Sequence, residues 1–172
     1  MKQIFALLVL TLSISTTYGQ DKIVKLSGDT IKCKVKEITD NNIKYIYEGE
    51  ELLYNISKNA VKEIIFSSSR VQKFSKRVII NGEEDWEKVI ITFDKKDIDG
   101  LVECCEIVGK SSKGGVASVS GGKSAMKKMQ KKAAENGAHI ILITDGWHHE
   151  KNKPISGYGR GVKLTGTAYK YE

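Results

Sequence analysis

The chain has 172 residues, and its 28 lysines and arginines outnumber 21 aspartates and glutamates for a net charge of +7. Three cysteines do not make a disulfide framework in a chain this long. The length suits one domain of average size or two small ones.

Residues 1–19 read as a secretory signal peptide. Lys2 supplies the positive start, residues 4–12 the apolar core, and Thr17 and Gly19 the small residues three and one before a cut ahead of Gln20. The apolar run is shorter than the roughly 20 residues that cross a bilayer. The first cysteine is Cys33, so no lipid-acceptor cysteine stands near the cut. The expectation is a chain exported to the periplasm or secreted, with no transmembrane segment left after cleavage.

Charge is unevenly spread. Residues 20–100 hold 15 basic and 15 acidic side chains, whereas residues 101–172 hold 12 and 6. The net positive charge of the exported chain therefore sits in its second half. Such a surface can meet an anionic lipid, a glycan or nucleic acid, although a solvated face that keeps a protein soluble is commoner. An oxidising compartment permits a disulfide, but the odd count leaves a thiol over, and pairing among Cys33, Cys104 and Cys105 stays open.

From residue 20 to about 73 the chain reads as short strands with tight turns. A strand over 22–26 meets a turn at Ser27, Gly28 and Asp29. Residues 30–39 alternate Ile31, Cys33 and Val35 against Lys32, Lys34 and Lys36, the period of a half-buried strand. Cys33 falls at an inward position, as a small buried hydrophobe. Asp40, Asn41 and Asn42 turn the chain, Ile43, Tyr45 and Tyr47 alternate in the next strand, and 52–56 forms another. Ser57 caps one helical turn, and 63–66 makes a fifth strand. Five short strands in so few residues predict a small, strongly bent barrel. The stretch 23–39, a strand, Gly28-Asp29, then a long alternating strand ending in Glu37-Ile38, resembles the opening of an Sm-like or SH3-like barrel of exported bacterial proteins. The resemblance implies the fold. RNA, the ligand of cytoplasmic Sm proteins, is not the partner expected of an exported copy.

Residues 70–77 are polar and basic, which places the domain boundary there: a barrel over 20–73 and a small α+β domain over 74–172. Residues 78–82 read as a strand entering an Asn81-Gly82 turn. Val89, Ile91 and Phe93 share one strand face. Asp94, Asp97 and Asp99 do not fit a calcium loop, since its sixth and twelfth positions would be Asp99 and Cys105 in place of Gly and Glu; they read as turn residues.

A strand over 101–109 gives way to a surface loop over 110–122, rich in glycine and serine. Ser124 then caps a helix with Met126, Met129 and Ala133 as its apolar stripe and Gly137 as its left-handed end. Strands over 139–144 and 162–169 follow, giving strand–helix–strand–strand. The run ending Gly122-Lys123-Ser124, with a strand ending at Asp145 downstream, matches a relaxed phosphate-loop pattern. It fails physically, because a phosphate loop leaves a buried strand directly, and residues 110–116 have no strand character.

The helix over 125–138, the strand that follows, and residues 157–169 with Gly166-Thr167-Ala168 resemble two related groups. One is a small bacterial family described as putative heavy-metal-binding. The other is the Rcs-type envelope stress-sensor lipoproteins. The likeness implies the fold of the second domain. Lipidation and stress sensing do not carry over without the lipid-acceptor cysteine.

The leading functional expectation is a non-enzymatic binding module without a cofactor. Lys123, Lys127, Lys128, Lys131 and Lys132 are its candidates for contact with an anionic glycan, lipid or envelope protein. The alternative is weak transition-metal binding through His148 and His149. Cys104 and Cys105, adjacent on a strand, face opposite sides and cannot chelate together unless a bulge intervenes. No Gly-x-Ser-x-Gly elbow occurs and no catalytic residue is nominated. The oligomeric state stays open.

Overall fold

A computed structural model describes residues 19–111, 118–148, 153–154 and 161–171; for Ser118, Val119, His148, Lys153 and Pro154 it describes the backbone alone. Residues 1–18 of the expected signal peptide and residues 112–117 of the expected surface loop lie outside these residues, as does His149. Among the described residues the fold is mixed α+β, with two main sheets, a short two-stranded ribbon and one long helix.

The first sheet is wholly antiparallel, with strands in the order β4-β3-β2-β1-β5-β6. These are β1 (Asp21–Lys25), β2 (Thr30–Ile38), β3 (Asn42–Tyr47), β4 (Tyr54–Ser57), β5 (Val61–Ile65) and β6 (Val71–Lys73). The turn after β1 needs its glycine: Gly28 has φ of +112°, and the Lys25 amide donates to the Asp29 carbonyl at 2.8 Å. On β2 the expected alternation holds, with Cys33 buried between exposed Lys32 and Lys34. Ser57 caps a single 3-10 turn, its hydroxyl accepting from the Asn59 amide at 3.1 Å.

Ile23, Cys33, Ile43, Tyr45, Ile56, Ala60, Val61 and Ile64 form one buried cluster drawn from five strands and that turn. A bend of the sheet over one face would gather such a cluster, and Leu101 packs on it from outside the sheet. Register shifts after Val24 and after Val35 supply bends of the kind that bulges produce. Among the described residues no pairing joins β4 to β6, so the sheet stays open at its edges. The sixth strand lies where the sequence reads as a basic linker. Polar side chains suffice there because β6 is an edge strand, its residues exposed or half-buried.

The second sheet has the order β7-β9-β12-β8, with β7 (Ile90–Thr92) parallel to β9 (Ile140–Asp145), and β12 (Lys163–Lys170) antiparallel to both β9 and β8 (Val102–Lys110). The long helix α1 (Ser118–Glu135) crosses between β8 and β9 and packs on one face. Ala125, Met129, Ala133 and Ala134 bury its inner side against Ile107, Ile141, Leu164 and Ala168, while Met126 is only half-buried. Gly109 lies directly beneath: a Cβ there would sit 2.2 Å from the Ala125 carbonyl oxygen. The helix end is as expected. Gly137 has φ of +68°, its amide donates to Ala134, and the Ala138 amide donates to Ala133.

Three expectations are corrected here. The helix begins at Ser118, so residues 118–122 belong to it, Lys110 belongs to β8, and Ser124 is an interior residue in place of a cap. Gly121 and Gly122 are buried, and burial of so small a helix face offsets the roughly 1 kcal/mol that each glycine costs a helix. Residues 78–82 form no strand; the chain instead enters a 3-10 segment, Glu83–Lys88, opened by the Asn81 amide donating to the Asp85 carboxylate at 2.9 Å. Finally, Trp147–His148 (β10) pairs with Lys153–Pro154 (β11) in a small ribbon where a loop was expected.

The connection from β7 to β8 docks on the first sheet. The Asn42 amide donates to the Asp99 carboxylate at 2.7 Å, the Ser57 amide to the Asp99 carbonyl at 2.9 Å, and the Asn59 side chain to the Asp97 carbonyl at 3.2 Å. Leu101 packs against the first core. Each of the three carboxylates thus has its own structural partner, since Asp94 caps a 3-10 turn through the Lys96 amide and Asp97 accepts from the Thr92 hydroxyl at 2.6 Å.

Candidate anion-binding groove

Beside the helix and the edge strand β8 runs a groove of about 580 Å³. Lys128, Lys131 and Lys132 line it from the helix, Lys110 and Lys163 from the sheet, with Glu83, Glu135 and Val108 completing the wall. Helical spacing explains the first three: Lys128, Lys131 and Lys132 lie within about one turn, at i, i+3 and i+4 on one face. Strand register explains the others. Lys163 opens β12 and Lys110 closes β8, and antiparallel pairing sets the two directly opposite one another. Like charges so placed repel across a sheet.

The two carboxylates of the wall offset only part of this charge. Glu83 pairs with Lys131 at 2.5 Å, and the Lys132 ammonium donates to the Val108 carbonyl at 3.4 Å, which holds that side chain over the β8 edge. Lys110, Lys128, Lys132 and Lys163 are exposed. Five lysines against two glutamates leave the groove strongly cationic.

The sequence candidates divide here. Lys128, Lys131 and Lys132 share the groove, whereas Lys123 and Lys127 do not line it. Lys127 turns toward the 3-10 segment and lies 4.3 Å above the Trp86 ring, a cation–π contact. Lys123 is exposed on the helix. Lys110 and Lys163 were not candidates. Each ends a strand, and only the pairing of β8 with β12 brings them together.

A second basic groove, about 710 Å³, lies on the first sheet, lined by Lys25, Lys62, Lys73, Lys76 and Arg77 together with Glu63. There the carboxylate is paired: Glu63 lies 3.5 Å from Lys62 and stands opposite Lys73 in the strand register.

Of the metal alternative, His148 lies in β10 and His149 falls outside the described residues. Among the described residues no three His, Cys, Asp or Glu side chains gather as a metal set. The remaining histidine, His139, is packed: its ring stacks on Tyr171 at 3.9 Å and its Nε2 meets the Val78 carbonyl at 3.1 Å. Nε2 must carry the proton to donate there, which leaves Nδ1 bare, buried and without a protein partner. Burial, reinforced by Arg77, holds this histidine below its ordinary pKa despite the Val78 contact. The Gly122-Lys123-Ser124 run lies inside α1, so its backbone amides are not arranged as a phosphate cradle, and Asp145 is an exposed strand end.

Compared with protein-family models, with curated proteins and with solved structures, the chain matches none. Among the described residues no helix is long and apolar enough to cross a membrane.

Proposed function

We propose that this chain is an exported, non-enzymatic binding module that takes an anionic partner, a glycan or lipid headgroup, into the lysine groove between α1 and β8. The observation that carries the reading is the facing pair Lys110 and Lys163, set beside three helix lysines with one of the two nearby carboxylates already engaged. An arrangement that concentrates repulsion in one place is relieved when a polyanion enters. The apolar leader at residues 1–19 supports export, and the curl of the first sheet around a single core supports the Sm-like or SH3-like small-barrel reading of residues 20–73. The Rcs-type likeness of the second half is supported by its helix, which ends at Gly137 beside a buried strand and above Gly166 and Ala168.

The test is retention of the mature chain on a sulfated glycan matrix and, separately, on vesicles of anionic phospholipid. Replacing Lys110, Lys128, Lys131, Lys132 and Lys163 by Ser should weaken binding by about tenfold or more at low salt, as expected when several charge contacts are lost. The pair Lys123→Ser and Lys127→Ser, and the set Lys25, Lys62, Lys73, Lys76 and Arg77 changed to Ser, should act far less. If the first set binds as tightly as the parent, or the last set alone abolishes binding, the groove is not the site. Loss on one matrix only identifies which anion it takes.

A further inference from the structure

The pairing of β8 with β12 holds one more irregularity. Tyr169 faces Glu103 and Ala168 faces Cys105, so Cys104 is an extra residue with no partner of its own, a β-bulge. In a regular strand Glu103 and Glu106, three apart, face opposite sides. The bulge instead leaves both exposed and turns both cysteines inward, half-buried against the second core. This corrects the expectation that adjacent cysteines diverge. The Cys104 and Cys105 sulfurs stand 3.5 Å apart, and the Cys104 thiol points at the Asn136 carbonyl, 3.8 Å away, just past the end of α1. Cys33, the remaining thiol, is sealed in the other core and reaches neither.

From this geometry we propose that Cys104 and Cys105 form a bidentate site for a soft divalent metal cation such as zinc or cadmium. Thiolates about 2.3 Å from a tetrahedral zinc stand roughly 3.8 Å apart, so the observed spacing fits such an ion with little movement. A disulfide fits less well. Successive Cα atoms across a trans peptide are about 3.8 Å apart, whereas disulfides ordinarily span about 4.4–6.8 Å. Sulfur ligands also select thiophilic ions over magnesium or calcium. Binding replaces two S–H bonds by two metal–sulfur bonds and releases two protons to solvent, with no change of oxidation state. Among the described residues no third His, Cys, Asp or Glu completes the set, so water or a small ligand takes the remaining positions, as in sites that bind exchangeably. The site is separate from the lysine groove and does not depend on its role.

The experiment is titration of the reduced full chain with Cd²⁺ alone, followed by the ultraviolet thiolate-to-metal charge-transfer band. One Cd²⁺ per chain is expected. Cys104→Ser and Cys105→Ser should each weaken binding by more than about tenfold, a scale that loss of groups merely supporting a ligand already reaches. Cys33→Ser and the double change His148→Ala, His149→Ala should leave the band in place. A parent chain without the band, or a band that survives loss of either Cys104 or Cys105, overturns the proposal. A second measurement needs no variant: Cd²⁺ should protect Cys104 and Cys105 of the parent chain from alkylation, as mapped by mass spectrometry. Equal labelling with and without the ion also overturns it.

Discussion

The two sheets solve the burial problem in opposite ways. The first curls over itself, and its core comes from its own strands and one 3-10 turn. The second takes a helix as a lid, so α1 must approach the strands closely enough to exclude water. Glycine use follows. In the first sheet Gly28 and Gly49 sit in turns, where a Cβ would meet nothing within 4 Å. In the second, Gly109 and Gly166 lie within strands directly beneath Met129. Charge follows too. The groove of the first sheet includes Glu63, opposite Lys73 and close to Lys62. Beside the lid, Lys110 faces Lys163 with no carboxylate between them in the register. A balanced tally in the first half and a basic one in the second thus describe how charges are placed as well as how many there are.

The sharpest way to break this contrast is at the lid. Gly109→Ala pushes a methyl into the Ala125 carbonyl and Met129, and we expect a loss of about 3 kcal/mol or more, at the upper end of core overpacking. Gly49→Ala, strained only by its φ of +80°, should cost about 1 kcal/mol. Urea midpoints of the two variants measure the difference, and equal losses would mean that the helix does not rest on β8.

A smaller effect is expected at the junction. Asp99→Ala removes the acceptor of the buried Asn42 amide, and a buried donor left unpaired costs about 1–3 kcal/mol. Because this bond ties one sheet to the other, the variant also tests whether they unfold together. Tryptophan fluorescence, which reports Trp86 and Trp147 of the second unit, should separate from alkylation of Cys33, the thiol buried in the first. A single shared transition in Asp99→Ala would mean that other contacts couple the sheets.

The smallest effect is electrostatic and confined to the second unit. His139 is held neutral in the fold and titrates at its ordinary value near 6.5 once unfolded. Its folded pKa is the lower one, so below about 6.5 the unfolded chain binds the extra proton and stability falls as pH drops toward the depressed value. The contribution is fully present above the unfolded pKa. His139→Phe, which keeps a ring against Tyr171, should flatten the dependence of the urea midpoint between pH 7.5 and 5.5; an unchanged slope would assign it to other groups.

Much of this architecture is legible in the residues themselves. Alternation on β2, the Ser57 cap, the turn at Gly28 and the end of α1 at Gly137 depend on contacts among near neighbours, so periodicity and turn chemistry locate them. Of the groove, Lys128, Lys131 and Lys132 are visible as a helical stripe. Lys127, adjacent to Lys128, looks equivalent in sequence, yet it does not line the groove and its ammonium lies over the Trp86 ring. The start of α1 resists reading for a similar reason: Ser118 to Gly122 has poor helix propensity, and it is helical because the fold buries its glycines.

By itself the sequence determined the order and type of most strands, the existence and end of the helix, the excess of lysine in the second half and the inward place of Cys33. Each follows from a short repeat or a local hydrogen bond. Tertiary structure alone decided that β6 joins the first sheet, that Lys110 meets Lys163, and that Cys104 bulges beside Cys105. These depend on strand register, which is fixed by packing between segments more than 50 residues apart in the β8–β12 pair, and no local pattern encodes it.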